Sequence, residues 1–115
     1  MKPAVQFRLR FHVDDEIAIG PGKIALLEAI LQTGSMSAAA RQLGMSYRRA
    51  WVLVDQMNRS LRHPAVNAVS GGTRGGGTVL TPVGIKLVRH YRAIEASALR
   101  AAARDIEAIT TLLAG

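Results

Sequence analysis

The chain has 115 residues, 15 Lys and Arg against 8 Asp and Glu (formal net charge +7), and no cysteine. That length holds one domain with a modest core, and the missing cysteines exclude a disulfide framework and any thiolate metal site. No segment approaches the roughly 20 apolar residues of a membrane span. The opening Met1-Lys2-Pro3 and its alternating arginines lack the apolar stretch of a signal peptide. The expectation is a soluble cytoplasmic, nucleoid-associated domain with no membrane partner.

Val5, Phe7, Leu9, Phe11 and Val13 alternate with Gln6, Arg8, Arg10 and His12. A period of two predicts a strand with one buried face, which leaves Arg8 and Arg10 on a solvated face, the reading preferred over a dedicated DNA contact. Asp14-Asp15 predicts a turn and residues 17–19 a short return strand, so residues 5–19 read as a strand or hairpin. Gly20-Pro21-Gly22 breaks the strand, and Pro21 suits the first turn of a helix over residues 21–33. Ile24, Leu27, Ile30 and Leu31 form its apolar stripe, and Gly34 is its C-cap. This helix reads as scaffold.

Residues 35–61 predict a helix-turn-helix. Ser35 or Ser37 caps a short helix whose small residues Ala38, Ala39 and Ala40 permit a close crossing, and Leu43 anchors its end. Gly44 stands where a left-handed residue is needed, and Ser46 caps the second helix. That helix has Ala50, Leu53, Val54, Met57 and Leu61 on its buried stripe, and Trp51 flanks the stripe as a core ring rather than a base-stacking platform. Tyr47, Arg48, Arg49, Val52, Gln56 and Arg59 lie on its other faces. Arginines in a first helical turn oppose the helix dipole at a cost of roughly a few tenths of a kcal/mol. They also have the reach and fork geometry to pair with guanine edges or clamp phosphate. Between Ser35 and Thr81 six arginines stand against the single acid Asp55, the footprint of a nucleic-acid binder rather than of charge spread for solubility. The DNA-contacting set is therefore Ser35, Ser37, Ser46, Tyr47, Arg48, Arg49, Val52 and Gln56.

Residues 66–80 predict two short strands joined by the glycine-rich run from Ser70 to Gly77. A flexible linker and a nucleotide loop are the alternatives. The nucleotide loop lacks its Gly-Lys-Ser/Thr ending and its following helix. A wing explains the glycines better and adds Thr73, Arg74 and Gly75 to the DNA-contacting set. Thr81-Pro82 then starts a helix over residues 82–113, about 30 residues and roughly 45 Å long. Its stripe runs Leu87, Tyr91, Ile94, Ala98, Ala102, Ile106, Ile109 and Leu113. A helix that overhangs so small a domain either folds back on its own core or pairs with a second copy. A twofold homodimer presenting two recognition helices to a palindromic double-stranded operator is the preferred reading.

The fold class expected is mostly α with small β: a winged helix-turn-helix with an N-terminal strand or hairpin and a long C-terminal dimerisation helix. His12, His63 and His90 lie on separate elements without partners at metal-site spacing, so no catalytic residue, metal or cofactor is expected. The function expected is that of a sequence-specific, dimeric DNA-binding transcriptional regulator. A protein-interaction winged helix and a non-specific nucleoid-associated binder are the alternatives.

Gly34-Ser35-Met36-Ser37-Ala38-Ala39-Ala40, Ser46-Tyr47-Arg48-Arg49-Ala50-Trp51, Met57-Asn58, the glycine wing and Val79-Leu80-Thr81 followed by Gly84 resemble the DNA-binding domain of ModE-type bacterial molybdate-responsive regulators, whose winged helix is related to that of LysR-type regulators. The resemblance covers residues 20–91. It implies a homodimer joined through the long helix, with operator contacts from the recognition helix and wing. It departs at the wing, where Thr73 occupies the family's usual basic position and Arg74 follows. The chain also stops where the family's molybdate-binding domains begin, so no small-molecule effector is expected within it.

Overall fold

The computed structural model describes residues 3–69 and 77–114. Two strands, β1 (Phe11–Val13) and β2 (Glu16–Ile19), precede three helices, α1 (Pro21–Thr33), α2 (Met36–Gln42) and α3 (Tyr47–Ser60). Strands β3 (Val66–Val69) and β4 (Gly77–Leu80) follow, then helices α4 (Pro82–Ala101) and α5 (Ala103–Thr110). Each strand pair is a separate antiparallel two-stranded sheet.

The N-terminal hairpin turns through Asp14 and Asp15, both in the left-handed region (φ 49° and 68°). Two consecutive residues there give the turn whose twist matches a two-residue hairpin, and Asp tolerates it better than most side chains. The pairing runs Val13 to Glu16, His12 to Ile17 and Phe11 to Ile19, with a register shift between Phe11 and His12. The strand is shorter than the alternation predicts, and its apolar face is not buried. Val5, Phe7, Phe11 and Val13 are exposed and only Leu9 packs partly against the core. Alternation shows which residues share a face; an isolated two-stranded ribbon has no second layer to cover that face. From the hairpin, Ala18 and Ile19 enter the core.

Helix α1 is the central element. Gly34 ends it at φ 66°, its N–H donating to the Ile30 carbonyl at 2.8 Å. Ile24, Leu26, Leu27, Ala29 and Ile30 are all buried, whereas Leu31, expected in the stripe, is 55% exposed. Helices α2, α3 and α4 and strand β4 pack around α1, so its buried surface is wider than one stripe, and Leu26 takes the inward place. Ser35, rather than Ser37, caps α2: its Oγ accepts from the Ala38 N–H at 3.1 Å. Gly44 (φ 68°) makes the tight turn into α3, where the Ser46 Oγ accepts from the Arg49 N–H at 3.0 Å. Ala39, Ala40, Ala50, Val54 and Met57 are buried; Trp51, Leu53 and Leu61 pack partly against the core.

Asn58 ties the connection from α3 to the second sheet. Asn58 Oδ1 accepts from the Ala65 N–H at 2.8 Å, and its Nδ2 donates to the Val66 carbonyl at 3.2 Å. Thr81 then bridges to α4: its Oγ1 donates to the Pro64 carbonyl (2.6 Å) and accepts from the Gly84 N–H (3.2 Å). At Gly84 a Cβ would stand 2.3 Å from the Ala65 carbonyl oxygen, so only glycine allows this approach.

The terminal helix is not the single continuous rod expected. It is divided at Ala102 (φ −97°, ψ 8°) into α4 and α5, although the Ala102 N–H still reaches the Ala98 carbonyl and Ile106 the Ala102 carbonyl. No proline or glycine stands there. The molecule measures 57 × 31 × 23 Å with a radius of gyration of 17.0 Å, against about 13 Å for a compact domain of this length. The excess reflects the terminal helices projecting beyond the core.

Candidate nucleic-acid interface

The faces of α3 divide its side chains by destination. Ala50, Val54 and Met57 point into the core; Arg48, Val52 and Arg59 lie on the opposite, exposed side. Tyr47 is exposed and meets the half-buried Trp51 edge-on, with ring centroids 6.3 Å apart and planes at 72°. These two rings, with Ser35, Ser37, Ala68, Val69, Gly77 and Thr78, line a cleft of about 450 Å³ between the start of α3 and the second sheet. Ser46 is exposed at the helix tip. The helix-turn-helix and the sheet after it thus bring Ser35, Ser37 and Tyr47 together at one cleft. Thr73, Arg74 and Gly75 lie outside the described residues.

Arg48 and Arg49 are neighbours in sequence but face different surroundings. Arg48 stands on the exposed face, while Arg49 turns to the flank that, with Leu53, Gln56 and Arg59, faces the N-terminal hairpin across a groove of about 800 Å³. Buried Lys23 also lines this groove, its Nζ donating to the Ile17 carbonyl at 2.6 Å. Burial pulls the Lys23 pKa below its ordinary value; Glu16 opposes that shift and Arg49 adds to it.

The residues expected along a dimer seam separate into two groups. Leu87 packs partly on this chain's own core, and Tyr91 is buried, with its hydroxyl donating to the Leu9 carbonyl at 2.7 Å. Burial also pushes the Tyr91 phenol pKa up, with Glu95 adding to the shift. Within this chain both residues tie α4 to its own core. A third anchor is Arg92, whose Nε donates to Glu28 at 3.0 Å and Nη1 to Glu95 at 2.7 Å; the Glu28 carboxylate, then Glu95, raises its pKa above the ordinary value. Past this point Ala98, Ala102 and Ile106 are half-exposed, and Ile94, Ile109 and Leu113 are exposed. Helix α5 buries nothing.

Sequence reasoning missed Asn58, Lys23 and Gly84 as structural determinants. Asn58 carried a local signal, an amide beside the buried stripe of α3. The other two depend on contacts with distant segments. The three histidines are exposed and lie apart, and among the described residues no group of three or more His, Asp or Glu could hold a metal. No helix among them is long and apolar enough to cross a membrane.

A serine-capped helix offering an arginine-bearing face, set behind a short helix and a glycine turn, defines a helix-turn-helix DNA-binding domain. The family model for bacterial regulatory helix-turn-helix proteins of the lysR family matches residues 22–85, more than half of the chain, and the chain belongs to that family. It is 55% identical over 78 residues to the molybdenum-pterin-binding protein MopB of Rhodobacter capsulatus, covering 68% of this chain and 29% of MopB. It is 42% identical over 94 residues to the molybdenum transport protein ModE of Azotobacter vinelandii (80% and 35%). It is 36% identical over 83 residues to the DNA-binding transcriptional dual regulator ModE of Escherichia coli K12 (72% and 32%). The chain spans about a third of the length of these relatives. The family is one of DNA-binding transcription regulators, not of enzymes.

Proposed function

We propose that the chain acts as a sequence-specific transcriptional regulator, binding a palindromic operator as a homodimer. The observation that carries this is the exposed arginine face of α3, opposite its buried stripe and fixed at its tip by the Ser46 cap. With α3 in the major groove, Arg48 reads a base edge and Arg49, on the flank, meets phosphate. Ser46, Tyr47, Val52 and Gln56 complete the helix contacts, and Ser35 and Ser37 meet the backbone beside them. Thr73, Arg74 and Gly75 act from the wing.

The second copy covers the apolar side of the projecting helices through Ile94, Ala98, Ala102, Ile106, Ile109 and Leu113. Exposed apolar side chains at that density on an overhanging helix support pairing. The molybdenum in the relatives' names belongs to those longer proteins and is not transferred here.

Selection from random duplexes followed by titration of the enriched sequence tests the proposal. A regulator enriches one sequence with twofold symmetry and binds it at least about a thousandfold more tightly than random DNA. A non-specific nucleoid binder enriches none. A protein-interaction module shows no steep loss of DNA affinity with salt.

A further inference from the structure

The groove between the N-terminal hairpin and α3 is not accounted for by recognition helix or wing. Arg8 and Arg10, two residues apart on an extended segment, line it from one side. Arg49 and Arg59 line it from α3, and the Lys23 ammonium lies among them. Among the described residues none of these five cations forms an ion pair; the only pairs found there are those of Arg92. Asp14, Asp15 and Glu16 also border the groove, all three at the hairpin turn, so five cations stand there against three acids.

Four guanidinium groups held open to solvent on two facing elements repel one another unless an anion lies between them. Each has a planar fork of donors that matches phosphate oxygens. The groove adjoins the exposed face of α3, with Arg49 and Arg59 belonging to the same helix as Arg48, so a duplex seated on α3 brings a backbone strand against this flank.

We infer that the hairpin–α3 groove is a second phosphodiester site, in which Arg8 and Arg10 grip the DNA backbone on the flank of α3 away from the β3–β4 sheet. The inference rests on the DNA-binding function proposed above and extends it: the segment leading into the hairpin works as a sequence-independent clamp opposite the wing.

The test compares wild type, the double variant Arg8→Ala/Arg10→Ala, and Arg48→Ala on the selected duplex across a potassium chloride series. The double variant should lower the slope of log affinity against log salt by about two and leave sequence preference unchanged. Ethylation interference should lose the phosphates beside the hairpin. Both side chains are exposed, so the circular dichroism melt should not move. A second variant, Asp14→Asn/Asp15→Asn, keeps residues that tolerate the left-handed turn and should tighten binding several-fold at low salt.

If Arg48→Ala weakens binding while the double variant keeps the wild-type slope, the clamp is overturned and the DNA-binding function stands. If the wild type binds no duplex, both fall. Titration with inorganic phosphate at constant ionic strength separates the remaining source. Saturable shifts at the groove arginines, with an unchanged DNA slope in the double variant, would assign the groove to a free anion and overturn the clamp.

Discussion

The block formed by α1, α2 and α3 and the stretch beyond Tyr91 are built from similar proportions of apolar residues, yet they end in opposite states. In the block, Leu26, Leu27, Ala39, Ala50, Val54 and Met57 have no exposed surface, and the helix starts at Ser35 and Ser46 are capped by side chains. Beyond Tyr91, Ile109 is 62% and Leu112 83% exposed, and no residue of α5 is buried. The block is complete within one chain. The terminal stretch has side chains of the same chemistry with nothing laid over them, so it adds little to the stability of the single chain. Anchoring by Tyr91 and Arg92 is where one regime gives way to the other.

The sharpest way to break this contrast is to truncate one leucine in each region. Leu27→Ala should cost about 3–4 kcal/mol by urea denaturation, since a fully enclosed side chain leaves a cavity. Leu112→Ala should cost less than about 0.5 kcal/mol in dilute solution. Comparable losses at the two sites would abolish the distinction. Gly84→Ala comes next. Its Cβ would meet the Ala65 backbone oxygen, which cannot swing aside as a side chain could, so a loss of about 2–3 kcal/mol is expected from the same denaturation experiment.

Tyr91→Phe keeps the buried ring and removes only the hydroxyl that reaches Leu9. It should lower stability by about 1 kcal/mol. Amide hydrogen exchange should also rise selectively across residues 5–10, because the hydroxyl ties that segment to α4. The smallest effect belongs to the partly exposed Arg92 network: Arg92→Gln should cost about 0.5 kcal/mol, less at high salt.

The boundaries of the central block were legible because they depend on local chemistry. Gly34 and Gly44 are left-handed stops, Ser35 and Ser46 supply cap oxygens, and Thr81-Pro82 opens α4. What failed to show was whatever one segment needs from another. Alternation over residues 5–13 marks a face but says nothing about whether a layer covers it, and here only Leu9 found one. Leu31 and Leu26 exchange the expected roles because α1 is surrounded rather than packed on one side. The tie of Tyr91 to its own chain did not show because its partner, Leu9, lies 82 positions away. The candidate DNA-contacting residues of α3 were legible as exposed positions; that Arg48 and Arg49 face different surroundings depended on where the hairpin packs.

The central claim, that the exposed face of α3 reads DNA, is tested most directly by the affinity of Arg48→Ala for the selected operator relative to a scrambled duplex at one salt concentration. Arg48 is exposed and off the buried stripe, so the variant should fold with an unchanged melting temperature. It should lose about 1–3 kcal/mol of operator binding while its affinity for the scrambled duplex falls far less. Wild-type affinity and preference retained in a folded Arg48→Ala would show that this face does not read the bases.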